Sequence, residues 1–268
     1  MLLPSLDSPY TLTDTQKMAY QINGNVLLKN ILLEEEMKLY RPVILDAAER
    51  YNTEKRKIEE RDTYGKAFLQ IMNLWEVDEH VRKFTLAKRF AQIAADLMGV
   101  KNVRLYHDQA LFKEAGGGHT PWHQDQYYWP LSTSKTITMW MPLVDINIEM
   151  GMLTFANGSQ ELGYLGDLAI SDTSEEVLSD LVRKKGYAIS RAQTMQAGDA
   201  TWHSGWMLHC APGNLSAIRR EVMTIIFMDA EAEIIKPKNQ HQMADLERWL
   251  QNLPVGSKAA SEFNPLLL

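Results

Sequence analysis

Along the first hundred residues the apolar positions recur three and four apart, the period of a helix with one buried face. Thr13 and Asp14 supply caps for a predicted helix over Thr15–Ile22, Gly24 ends it, and the apolar stretch Val26-Leu27-Leu28 follows. The segment from Glu34 to about Lys55 predicts a long amphipathic helix. Another is predicted from about Glu79 to Met98, stopped by Gly99. No group of reactive side chains gathers on these segments, so they read as packing and support.

At Asn102 the pattern changes to short β-rich runs bounded by Gly, Pro, Asn and Asp. Strands are predicted over Val103–Phe112, Ile137–Val144, Met152–Phe155, Tyr187–Ser190, Ala200–Leu208 and Glu221–Met228. One helix, about Ser174 to Lys185, interrupts them, and another, Gln240–Leu250, follows Lys236-Pro237. This spacing predicts a β-sandwich or barrel such as a jelly roll. No repeat or linker divides the chain. The expectation is one domain over residues 1–268, with a helical buttress at about 13–100, a jelly-roll core at about 102–228 and a tail over 229–268.

Composition narrows the function. A chain of 268 residues buries roughly three quarters of its unfolded surface, enough to enclose a solvent-shielded pocket. Lys and Arg number 28 against 34 Asp and Glu, and the net charge of −6 argues against a nucleic-acid-binding surface. The single cysteine, Cys210, excludes an intramolecular disulfide and any CxxC motif. Metal binding is thereby left to His and carboxylates, and a reducing cytoplasm is the expected compartment. The N-terminus lacks the pattern of a signal peptide, and no run of about 18 apolar residues occurs, so no membrane association is expected.

The candidate chemistry lies between Gly116 and Arg220. In GGGHTPWHQDQYYWP, His123 and Asp125 stand two apart, and in an extended segment such residues face the same way and can reach one metal ion. About one such pair is expected by chance in a chain with seven His and 34 acidic residues, so the pair alone is a weak signal. His209 in GDATWHSGWMLHCAPGN supplies a second imidazole. Two imidazoles and one carboxylate with the opposite face open suit a non-haem Fe(II) oxygenase. Arg220 opens the last predicted core strand, and a guanidinium fork there suits a carboxylate whose other end chelates the metal.

These blocks, with ITMWMPLVDINIEMGMLTFANGSQE between them, resemble the phytanoyl-CoA dioxygenase-like family of Fe(II)/2-oxoglutarate-dependent oxygenases, over about Thr13 to Met228. The resemblance implies a mainly β fold with α, a double-stranded β-helix (a cupin-like jelly roll) buttressed by N-terminal helices. It implies His123, Asp125 and His209 as iron ligands and catalytic residues, and Arg220 as the partner of the distal 2-oxoglutarate carboxylate. Gln109 and Trp140 are implied to face the co-substrate, with Thr154 and Thr120 as further hydroxyl candidates. The implied reaction consumes Fe(II)-bound 2-oxoglutarate and O2, releases succinate and CO2, and oxidises a small organic molecule. Asp125 favours hydroxylation over halogenation, because related halogenases have a small residue there.

Other readings compete at several positions. His203 precedes His209 by six residues; on one regular strand it would sit about 20 Å away, so it is read as packed or hydrogen-bonded. Adjacent strand residues face opposite ways, so Arg219 points out if Arg220 points in, and Cys210 faces away from the metal if His209 faces it. Tyr127 and Trp129, in register with His123 and Asp125, are the expected pocket aromatics, and His107 shares the parity of Gln109. His119 lies in a Gly-rich loop. A jelly-roll metal protein performing a non-oxidative isomerisation or hydrolysis is the alternative function, against which Arg220 discriminates; a non-catalytic ligand-binding jelly roll is the third, and it would make the triad a coincidence.

Overall fold

The computed structural model describes residues 3–268. Eight α-helices occur among the described residues: α1 (Asp14–Asn23), α2 (Glu34–Tyr51), α3 (Thr63–Ala67), α4 (Leu74–Val77), α5 (Glu79–Thr85), α6 (Lys88–Met98), α7 (Asp172–Lys185) and α8 (Gln240–Arg248). The α1 start is a capping box: the Thr13 hydroxyl accepts from the Gln16 amide while the Gln16 side chain accepts from the Thr13 amide. The long helix expected from Glu79 to Met98 is two helices, broken at Leu86 and Ala87. The cause is tertiary. Thr85 donates its hydroxyl to the fully buried Asp108, which also accepts the Leu74 and Trp75 amides. The α5 end is thereby tied to the sheet.

Twelve strands follow in chain order: β1 (Asn25–Leu28), β2 (Leu69–Met72), β3 (Val103–Lys113), β4 (Thr120–His123), β5 (Thr136–Pro142), β6 (Ile146–Asn147), β7 (Thr154–Ala156), β8 (Ile189–Arg191), β9 (Thr194–Met195), β10 (Ala200–Ser204), β11 (His209–Ala211) and β12 (Arg220–Asp229). A six-stranded sheet has the order β1-β10-β5-β12-β3-β2, and a four-stranded sheet the order β4-β11-β7-β8. All their pairings are antiparallel. The two sheets are those of a jelly roll, and no closed barrel forms. One face of the larger sheet carries the main apolar core, where Ile225, Phe227, Met139 and Trp202 join α2, α5 and α6. The helical first third therefore covers that sheet's outer face, and its other face is left for the site.

The predicted strand Ala200–Leu208 is a strand and a corner. β10 ends at Ser204, the chain turns at Gly205, and His209 opens β11 in the smaller sheet. Gly205 is required there: a Cβ would lie 2.2 Å from the Thr136 hydroxyl and 2.8 Å from Gln126 Oε1. His203 and His209 consequently sit on facing sheets, with ring centroids 4.5 Å apart. The 20 Å separation of a continuous strand does not apply.

Candidate metal centre and cavity

His123 ends β4 and His209 begins β11, and the two are direct cross-strand partners. Their rings stand 4.0 Å apart, centroid to centroid. Asp125 is on no strand; it is the first residue of a 3-10 turn over Asp125–Tyr128. That turn, in place of the expected extended geometry, swings the carboxylate beneath the imidazoles. Asp125 Oδ1 lies 3.5 Å from His123 Nε2 and 3.6 Å from His209 Nε2. The three ligand atoms fall within 4.8 Å of one another.

The donor chemistry fits a metal ion. His123 Nδ1 donates to the Pro121 carbonyl at 2.7 Å, and His209 Nδ1 donates to the Met207 carbonyl at 3.0 Å. Each bond places the ring proton on Nδ1 and leaves the Nε2 lone pair aimed at the shared point. Burial, with His123 beside it, holds His209 well below its usual pKa and hence neutral. Burial opposes the charge on Asp125, but His209, His123 and His203 outweigh it, and the carboxyl is held well below its ordinary value. Two imidazoles and one carboxylate make the donor set that suits Fe(II) with open positions.

The larger sheet supports this carboxylate from the opposite side. Thr138 Oγ1 donates to Asp125 Oδ2 at 2.8 Å, and His203 Nε2 lies 3.2 Å from the same oxygen. Thr138 and His203 are themselves cross-strand partners on β5 and β10. His203 is fully buried and its Nδ1 has no partner among the described residues. Sequence reading left this role unassigned. The available signal was Ser204-Gly205, a turn dipeptide that ends the strand.

A cavity of about 250 Å³ opens beside the triad. Arg220, Gln109, Trp140, Thr120, His107 and Trp129 all line it, with His123, Asp125 and His209. Two expected residues do not. Thr154 faces the other side of the smaller sheet, where it pairs with Cys210 and accepts a hydrogen bond from Arg191. Tyr127 is turned away by the 3-10 turn, and its hydroxyl bonds Asp167. In its place Tyr128 reaches the cavity, because a turn of three residues per repeat does not preserve the alternation of a strand. His119 is exposed on its loop.

Arg220 is 2 % exposed and stacks over Trp140, 5.1 Å from ring centroid to guanidinium carbon. One of its nitrogens donates to the Gly151 carbonyl and its Nε has no partner. Burial lowers its pKa to about 9, which leaves it charged at neutral pH. Lys113, its partner across β3 and β12, is also fully buried, and donates to the Gly118 carbonyl. Among the described residues neither side chain has a carboxylate within ion-pair distance. The buried Arg220 cation without a counter-ion, beside a Lys113 amine onto which a bound anion can draw a proton, makes an anion-binding end to the cavity. Arg219 points outward as expected, 2.9 Å from Glu221.

A jelly roll holding a two-histidine, one-carboxylate centre beside a buried guanidinium has the architecture of the iron- and 2-oxoglutarate-dependent enzymes. The chain belongs to the phytanoyl-CoA dioxygenase family, whose model matches residues 20–222. Among solved structures it is similar to the non-haem alpha-ketoglutarate-dependent carbocyclase SnoK from nogalamycin biosynthesis, with 25% identity, 97% of this chain and 99% of that chain covered, and a TM-score of 0.78. The fold is shared with the epimerase SnoN, whose structure holds Fe3+, alpha ketoglutarate and nogalamycin RO, at 23% identity, 95% and 98% coverage and a TM-score of 0.73. It is also shared with EctD from S. alaskensis bound to 2-oxoglutarate and 5-hydroxyectoine, at 17% identity, 89% and 87% coverage and a TM-score of 0.68. No curated protein matches the sequence. No helix among the described residues is long and apolar enough to cross a membrane.

Proposed function

We propose that this protein is an Fe(II)- and 2-oxoglutarate-dependent oxygenase that hydroxylates or otherwise oxidises a small organic substrate, with release of succinate and CO2. The observation that carries this reading is one cavity containing both the His123-Asp125-His209 donor set and the unpaired, buried Arg220. A hydrolase or isomerase has no need of that guanidinium. The helical buttress, jelly-roll core and tail act as one oxygenase unit, since a single apolar cluster joins residues from Leu3 to Phe227 and Phe263, Leu267 and Leu268 of the tail pack against it. The lone, partly buried Cys210 fits a reducing cytoplasm.

Bound Fe(II) supplies dioxygen activation coupled to oxidative decarboxylation of the keto acid. The chain supplies geometry and charge. His123 and His209 present Nε2 lone pairs whose direction is set by their carbonyl partners, and Thr138 and His203 hold Asp125 in its charged form. Arg220 takes the far carboxylate of 2-oxoglutarate, with Lys113 adding positive charge and the Trp140 face orienting the guanidinium. Gln109 and Thr120 contribute polar contacts along the same wall, and Leu111, Leu153 and Ile226 keep it dry. Asp125 occupies the carboxylate position, so hydroxylation or a related hydrogen abstraction is favoured over halogenation.

Anaerobic addition of Fe(II) and then 2-oxoglutarate should give a weak visible charge-transfer band from bidentate chelation. Oxygen should then yield succinate, and His209→Ala should abolish both. Iron and co-substrate binding without the band, or undiminished succinate from His209→Ala, would overturn the assignment.

A further inference from the structure

The cavity is polar at two ends of opposite character. Along β3 the residues facing it run His107, Gln109 and Leu111, with Lys113 beyond them beside Arg220. His107 and Lys113 are six residues apart, about 20 Å on a strand. At the Lys113 end the free charge is the Arg220 guanidinium. At the His107 end the wall is built by Trp129 and by Asp245 and Trp249 at α8, whereas Phe68, which precedes the Phe112 partner Leu69, lies toward the Lys113 end. Trp249 packs against the His107 ring, at 5.9 Å. Ala244 and Arg248 of α8 are exposed and still line the cavity, so its mouth lies along this helix.

Asp245 stands just inside that mouth. Tyr106, fully buried, donates its hydroxyl to Asp245 Oδ2 at 2.8 Å. Among the described residues this is the only donor to the carboxylate, and Oδ1 is left on the cavity side. Arg248, one turn along, lies over the Trp249 ring at 4.3 Å and forms no ion pair with Asp245. Burial pushes the carboxyl up to about 7. A half-buried acceptor with one oxygen free of protein donors, beside aromatic rings, offers a directed partner to a ligand that donates to it.

We propose that Asp245, backed by Tyr106, is the recognition point for the primary substrate, which carries a hydrogen-bond donor, a hydroxyl or a protonated amine, on an apolar or aromatic skeleton. The proposal rests on the oxygenase reading, which assigns the Arg220 end to 2-oxoglutarate and leaves the α8 end for the substrate. The aromatic walls take the skeleton, and add cation–π attraction where the donor is an ammonium. A ligand of the same shape ending in a methyl group leaves the carboxylate unpaired, and one ending in a carboxylate is repelled.

The test compares 2-phenylethylamine, 2-phenylethanol, propylbenzene and 3-phenylpropanoate on the anaerobic protein loaded with Fe(II) and 2-oxoglutarate. Binding is read from quenching of tryptophan fluorescence, since Trp129 and Trp249 line the cavity. At least one donor-bearing probe should bind about tenfold or more tighter than propylbenzene and 3-phenylpropanoate. Asp245→Leu should erase that preference, and Tyr106→Phe, which keeps the carboxylate, should retain it. Asp245→Asn separates the two sources: an ammonium preference is lost, whereas a hydroxyl preference survives. An unchanged charge-transfer band shows that each variant keeps its metal site. Equal binding of all four probes, no binding of any, or a preference that survives Asp245→Leu overturns the proposal. A missing band in the native protein would instead remove the oxygenase reading, leaving the probe comparison intact.

Discussion

His203 Nε2 lies 3.2 Å from Asp125 Oδ2, so a residue of the larger sheet holds the carboxylate that completes the donor set of the smaller one. With Thr138 on the same oxygen, Asp125 keeps Oδ1 for the metal. Partners of this kind fix ligand orientation, and losing one costs roughly 10–100-fold in metal affinity or activity. His203→Ala should therefore weaken Fe(II) binding by about that factor while His123 and His209 stay in place. Fe(II) titration, with the anaerobic charge-transfer band as a second readout, checks this; native affinity and an unshifted band would show that His203 only fills space.

Arg220 should govern co-substrate affinity without governing iron. Arg220→Leu removes a charge-assisted contact in a buried site, and the apparent KM for 2-oxoglutarate should rise on the order of 100-fold. Fe(II) affinity should stay near native, because Arg220 touches no ligand of the triad. A variant with unchanged KM would move the distal carboxylate elsewhere.

Lys113 should make co-substrate binding depend on pH. Burial, with Arg220 beside it, lowers its pKa to about 6, below the unfolded value of 10.5. Above pH 6 the folded protein therefore holds Lys113 neutral while the unfolded chain holds it charged, so this group favours folding increasingly as pH rises from about 6 to 10.5. A bound carboxylate reverses the preference and draws a proton onto Lys113. Affinity for 2-oxoglutarate should then fall as pH rises above 6, by at most about tenfold per unit. Calorimetry in two buffers of different ionisation heat should detect the proton uptake, and Lys113→Met should flatten the slope. A flat profile in the native protein would remove Lys113 from the anion site.

Cys210 should be inert in the folded protein. Burial, with Glu175 nearby, pushes its thiol up to about 12, and it shares the Thr154 side of β11, away from the triad. A disulfide reagent at pH 8 should modify it slowly in native protein and rapidly in denaturant. Fast native labelling would contradict the burial.

Much of the site was legible along the chain. His123, Asp125, His209 and Arg220 stand in recognisable blocks, and strand alternation correctly sends Arg219 and Cys210 outward. The same alternation misplaced Tyr127 and Thr154. It assumes an extended chain past His123, where the backbone winds into a 3-10 turn, and it does not say which face of a short strand turns inward. His203 was misplaced in distance because its strand was carried through the Gly205 corner.

Local signals determine which residues have helical or extended preference, where caps and turns fall, and which side chains carry metal-binding chemistry. These depend on neighbours within a few positions. Tertiary structure decided what sequence distance hides: the support of Asp125 by Thr138 and His203, the pairing of buried Lys113 with Arg220, and the placing of Asp245 on the same cavity wall as His123 and Asp125, which lie far back along the chain. They arise from strand pairing within the larger sheet and from the packing of the two sheets and a C-terminal helix against one another. Packing is set by the complementarity of whole faces, which no single stretch of the chain records.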